Sequence, residues 1–156
     1  MSQSPELAAG AGFTFENLVA ARYLAALLTQ GMMPPSSGVV TAVAMQQRDF
    51  GEPLDDVIVD FRSASDQPAR LSLQGKKSLT LSAAPSNSDF REVIRDSLAT
   101  LQKADFREDR DRFGAALLSV TTGPFDTLTG LCELARHSDS LAHFQARFAA
   151  GGNANA

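Results

Sequence analysis

The chain of 156 residues is 44% hydrophobic and carries 14 basic against 18 acidic side chains, a net charge of −4. That length predicts one domain with a core of its own, and that charge excludes a general polyanion binder while leaving room for a local basic surface. The single Cys132 excludes an internal disulfide and a thiolate zinc cage. No apolar run approaches the roughly 20 residues of a membrane span, and no basic stretch followed by an apolar one opens the chain as a secretory signal. A soluble cytoplasmic protein with no membrane partner is expected.

Taken in order, residues 1–9 read as a flexible N-terminus. A helix is predicted from Phe13 to Gln30, where Phe15, Leu18, Val19, Tyr23, Ala26 and Leu27 recur at helical spacing and Gly31 marks the stop. Met32 to Gly38, with its two prolines and two serines, reads as a loop. Val39 to Gln46 reads as a strand, Gln47 to Pro53 as a polar turn, and Val57 to Arg62 as a second strand. Ser63 to Ala69 is a turn built on Asp66 and Pro68. Leu71 to Leu81 alternates like a half-buried third strand whose polar positions are Gln74, Lys76, Ser78 and Thr80.

Ser82 to Ser88 is a small-residue linker. Ser88 then serves as N-cap of a helix to about Lys103, with Phe90, Val93, Ile94, Leu98 and Leu101 forming its apolar stripe. Asp105 to Arg112 is densely charged, and Ala115 to Thr121, bounded by Gly114 and Gly123, reads as a buried fourth strand. Asp126 to Arg136 and Ser140 to Ala150 are helical, and 151–156 form a flexible tail. The expected fold is therefore α/β (α+β): a mixed central sheet of about four strands flanked by helices, with extra C-terminal helices.

One constellation carries chemistry. Glu16 lies on the first helix, Asp55-Asp56 precede the second strand, and Gln74 and Lys76 share a face of the third, about 7 Å apart at the usual rise. Consecutive strands usually neighbour one another, so two carboxylates, an amide oxygen and a lysine can meet around one cation. Hydrolysis of a phosphodiester wants that set. Mg²⁺, with Mn²⁺ as the alternative, prefers oxygen ligands and takes one or two protein carboxylates. Asp56 would be the bridging carboxylate, Gln74 a neutral ligand, Glu16 the second charge, and Lys76 the group that orients water and stabilises the pentavalent charge.

Phe15-Glu16 on an opening helix, Asp55-Asp56 before a strand and Gln74-Gly75-Lys76 together resemble the PD-(D/E)XK nuclease superfamily. The likeness is to the branch whose strand acid is glutamine, Q-x-K, found in Mrr-type restriction endonucleases and in effector nucleases of bacterial anti-phage systems (CBASS effectors and STAND-type defence ATPases). Gly51-Glu52-Pro53-Leu54-Asp55-Asp56-Val57 is similar to the defence branch. The resemblance implies a restriction-endonuclease-like α-β-β-β-α-β core over residues 10–122, with 123–150 a helical extension. It implies Mg²⁺-dependent cleavage of double-stranded DNA, with Asp56, Gln74, Lys76 and Glu16 in the motif positions and Asp55 as rival to Asp56. The second lysine, Lys77, departs from the pattern; Lys77 and Ser78 are read as nucleic-acid contacts. Family members are commonly activated by oligomerisation through an attached sensor domain. The resemblance thus implies a homo-oligomer and an N-terminal effector domain leading on to the rest of a longer protein.

Plainer readings stand beside these. Glu16 can be a solvated charge, Asp55-Asp56 turn chemistry, and Lys76 an edge-strand lysine that discourages aggregation. Gly10-Ala11-Gly12 lacks the remaining features of a dinucleotide site. His137 and His143 are spaced poorly for shared metal ligation and belong on the surface, while Cys132 is expected to be buried packing. Arg91, Arg95, Lys103, Arg107, Arg110 and Arg112 interleave with acids and read as a salt-bridged exposed face. The rival functions are a catalytically inactive module on the same fold, used for DNA binding or assembly, and a nuclease directed at RNA.

Overall fold

The computed structural model describes residues 5–82 and 84–147, with side chains from Phe15 onward, in two compact units, 1–119 and 120–156. The tail expected at 151–156 and the first four residues lie outside the described residues. In the first unit, helix α1 spans Pro5–Leu28, strand β1 Val39–Met45, β2 Val57–Arg62, β3 Pro68–Ser78, helix α2 Ser88–Leu101 and β4 Arg112–Ser119. In the second, α3 spans Thr122–Arg136 and α4 Leu141–Ala146. No described helix is long and apolar enough to cross a membrane.

The four strands form one mixed sheet in the order β1-β2-β3-β4. The first three pair antiparallel, as two successive hairpins dictate, and β4 returns parallel to β3 after the α2 crossover. Both helices of the first unit flank this sheet, α1 against β1, β2 and β3, and α2 against β4. The expected mixed α/β architecture with about four strands is the architecture found.

Helix α1 starts at Pro5 rather than Phe13. Proline suits a first helical turn, and glycines such as Gly10 and Gly12 cost only about 1 kcal/mol each within a helix. Pro5 to Ala9, read as part of the N-terminal segment, lie in this helix. Its Phe15, Ala20, Tyr23 and Ala26 are buried, whereas Leu18, expected in the stripe, is exposed. The turn that ends α1 falls on Gln30, at φ 52°, and the Gly31 N–H closes on the Ala26 carbonyl at 2.8 Å.

The core lies between α1 and the sheet. Tyr23 meets Phe61 edge to face at 6.3 Å, over Val40, Val57, Val59, Leu71 and Leu73. Strand β3 is longer at its start and shorter at its end than its alternation predicted, so Thr80 and Leu81 fall outside it. It is also not half-buried: Leu71 to Gly75 are buried on both faces, because β3 is central and takes a parallel neighbour. Gly114, read as a boundary, is inside β4 opposite Leu73.

Helix α2 departs most from expectation. Its N-cap is Asn87, whose Oδ1 accepts the Phe90 N–H, and not Ser88. Its buried residues are Val93, Asp96 and Thr100, while Ile94, Leu98 and Leu101 of the predicted apolar stripe are exposed. Charge seats it instead. Arg48 reaches Asp96 at 3.3 Å, and Lys103, just past the helix, reaches Glu52 at 2.8 Å. Glu52 also takes Arg70 of β3 at 2.9 Å, and Arg70 in turn holds Asp60 at 2.8 Å. Asp111 accepts the backbone N–H groups of Arg70 and Arg107 at 2.9 and 2.8 Å. The charged residues expected on an exposed face thus include buried members, Asp96 and Asp111, because each has donors aimed at it.

In the second unit, Ser140 caps α4 by accepting the His143 N–H at 3.1 Å. The Arg147 guanidinium donates to the Leu134 and His137 carbonyls at 3.2 and 3.3 Å. Cys132 is exposed rather than buried, since α3 has no buried residue; His137 and His143 are exposed as expected.

Candidate active site

The backbone N–H groups of Gln46 and Gln47 bond to the carbonyls of Asp56 and Asp55 at 3.3 and 3.0 Å, which carries the β1–β2 ladder back to the acidic doublet. The two carboxylates then part. Asp55 is held by the Arg48 guanidinium at 2.7 Å, within the same ion group as Asp96. The Oδ2 of Asp56 accepts the Gly75 N–H at 2.8 Å and the Gln74 side-chain amide. Neighbouring strands therefore bring Asp56 and Gln74 together, and Asp55 serves a structural pair.

Glu16 comes from α1 to the same point. A Cβ built on Gly75 would lie 2.9 Å from Glu16 Cγ and 3.6 Å from Asp56 Oδ2, so the strand is bare where helix and carboxylate approach it. The amide of Gln46, at the end of β1, donates to Glu16 Oε2 at 3.0 Å and to Asp56 Oδ1 at 3.5 Å. Glu16 faces the cluster.

Burial, then the charge of Asp56, pushes the Glu16 carboxyl above its ordinary 4.5. Burial likewise raises Asp56 above 3.8, with the Gly75 N–H pulling the other way and Asp55 adding to the rise. The Lys76 ammonium lowers both, so its charge is felt at both carboxyls. Lys76 is half-buried, and among the described residues no carboxylate forms an ion pair with it.

The donor set suits a small hard cation. Gln74 is buried, and its Oε1 has no hydrogen-bond partner among the described residues. A buried acceptor left without a donor is costly and uncommon. A half-turn of the amide would exchange this oxygen for the nitrogen now beside Asp56, unfavourable next to a bare carboxylate and favourable beside a cation. No group of three or more His, Cys, Asp or Glu side chains is gathered for a metal among the described residues. The site offers two carboxylates and an amide oxygen, which is within what Mg²⁺ asks of a protein.

Lys77 and Ser78 are exposed at the end of β3, and neither contacts the carboxylates among the described residues. Reading the sequence missed Gln46 and Arg48. Nothing in the strand pattern marks Gln46, whose left-handed backbone, φ 53°, takes it out of alternation. Gly75 carried a usable signal: glycine inside a strand marks a close approach.

Fold and site together define a mixed α/β domain with two carboxylates, two amides and a lysine clustered at one end of its antiparallel hairpin. No family model, curated protein or solved structure matches this chain.

Proposed function

We propose that this domain is a metal-dependent endonuclease that hydrolyses phosphodiester bonds of double-stranded DNA. The observation that carries the reading is the meeting of Glu16, Asp56 and the Gln74 side-chain amide from three separate elements within the field of Lys76. Asp56, Glu16 and Gln74 would hold Mg²⁺, or Mn²⁺ in its place. Such a cation supplies positive charge to a phosphate and makes water more acidic.

The remaining chemistry belongs to the chain. Lys76, free of a carboxylate partner, presents its ammonium to the scissile phosphate, orients the attacking water and stabilises the negative charge that grows as the phosphorus becomes five-coordinate. The Gly75 N–H keeps Asp56 aimed at the site. Lys77 and Ser78, exposed beyond the catalytic pair, contact the DNA backbone. With a net charge of −4, DNA affinity from this domain alone is modest and falls with salt. Activity then depends on oligomerisation through an attached sensor, as for an effector domain of a cytoplasmic bacterial anti-phage protein.

Plasmid digestion in Mg²⁺ tests the reading, with wild type against Lys76→Ala and with duplex DNA, single strands and tRNA side by side. The expected result is duplex cutting by wild type and none by the variant, at equal far-ultraviolet circular dichroism. Persistent cutting by Lys76→Ala would remove the assignment. A wild type that stays inert when tethered into an oligomer would favour a binding module, and cutting of tRNA alone an RNA nuclease.

A further inference from the structure

Gln46 directly follows Met45, whose side chain packs on the core that α1 covers. A continuing strand would turn Gln46 to the opposite face. Its side chain nevertheless reaches Glu16 of that same α1, because φ at Gln46 is 53°, a left-handed value that a residue without special local need rarely adopts. Such a conformation persists only where its surroundings over-determine it. Here its N–H is fixed on the Asp56 carbonyl at 3.3 Å, and its amide lies between two carboxylates, 3.0 Å from Glu16 Oε2 and 3.5 Å from Asp56 Oδ1. Like charges drawn from a helix and a strand would otherwise spread apart.

Resting on the cation-site reading above, we propose that Gln46 is a positioning residue: its amide holds Glu16 and Asp56 at the spacing a divalent cation requires. It touches neither substrate nor reacting atoms; it acts through the two carboxylates. Two variants test this without endangering the fold. Glycine enters the left-handed region freely, so Gln46→Gly keeps the backbone and deletes the amide. Gln46→Glu keeps the length and adds a charge.

Mn²⁺ binding by isothermal titration calorimetry is the direct readout. Gln46→Gly should bind Mn²⁺ about tenfold more weakly, the range typical of losing a group that orients a ligand. The Mg²⁺ concentration for half-maximal cutting should rise by the same factor, while the rate at saturating Mg²⁺ stays within about twofold of wild type. That split would not arise from general damage to the fold. Gln46→Glu should bind Mn²⁺ more tightly than wild type, because a third carboxylate joins the site. Wild-type affinity in Gln46→Gly overturns the role of Gln46 while leaving the cation site standing, and no gain in Gln46→Glu overturns the placement of that side chain between the two ligands. A wild type that binds no Mn²⁺ at all overturns both.

Discussion

Asp55 and Asp56, adjacent in the chain, are committed to different partners: Asp55 to the Arg48 guanidinium at 2.7 Å, Asp56 to the Gly75 N–H at 2.8 Å. Successive positions at a strand entrance point to opposite sides, so one residue of the doublet seats α2 and the other faces α1 and the cluster. The doublet is a hinge between two kinds of charge, one neutralised by an arginine and one held near a second carboxylate.

Substitution should separate the pair. Asp55→Asn is expected to leave Mn²⁺ affinity within about twofold while lowering stability by about 1 kcal/mol, discounted because Arg48 is half-exposed. Asp56→Asn is expected to abolish Mn²⁺ binding. Calorimetry on both variants decides which acid is the ligand; equal losses would contradict the separation.

Metal-free Asp56→Asn should also be more stable than wild type at neutral pH, by about 1 kcal/mol. Burial raises the Asp56 carboxyl above 3.8. A raised acid contributes stability that is present below the unfolded value and lost as pH rises through the folded one. The penalty therefore grows as pH rises through the folded value, and the advantage of asparagine should vanish below about pH 4. Thermal melts in a chelating agent across that range would show it.

Asp96 should behave with the opposite sign. Burial pushes its carboxyl up, but the hydrogen bonds from Arg95 and Arg48 outweigh burial and hold it below 3.8. Its stabilisation is present above the ordinary carboxylate value and lost as pH falls through the depressed one. Asp96→Asn should flatten the acid limb of a stability-against-pH curve; an unchanged limb would mean the ion group contributes nothing there.

Gly75→Ala places a methyl 2.9 Å from Glu16 Cγ. Glu16 must swing away, so the variant should bind Mn²⁺ about tenfold more weakly. Its folding stability should fall by only about 1 to 3 kcal/mol, the usual cost of an added methyl group. An unchanged affinity would show that Glu16 is dispensable.

The outward face of α2 yields a stability contrast. Val93→Ala should cost about 1 to 2 kcal/mol, as truncation of a buried aliphatic side chain does. Ile94→Ser and Leu98→Ser, at exposed positions, should stay within about 0.5 kcal/mol. Urea midpoints measure all three, and a large loss in either serine variant would place that face in contact with something.

Much of the sheet was legible because its strands are punctuated by turn residues and filled with β-branched ones, and Val57–Arg62 was read to the residue. Gln74, Lys76 and Asp56 could be grouped because strands joined by a short turn pair with each other. Glu16 needed one more fact, the rotation of α1, which its apolar spacing does not fix, since Leu18 of that spacing is exposed. The seating of α2 was misread for a stated reason: an apolar stripe normally faces the core, but here Asp96, Arg48, Glu52 and Lys103 satisfy one another and take its place. Gln46 was invisible because a single positive φ leaves no mark on the strand pattern.

That ionic seating has a mechanical consequence. Apolar side chains tolerate sliding, since one methyl contact is much like the next. Arg48–Asp96 and Lys103–Glu52 do not, because each donor has a direction and a fixed acceptor. A helix fastened in this way keeps its register along the sheet by geometry, much as a key keeps its depth in a lock. High ionic strength, which weakens partly exposed charge pairs and leaves methyl contacts intact, is the condition under which α2 should loosen before the α1 side of the domain does.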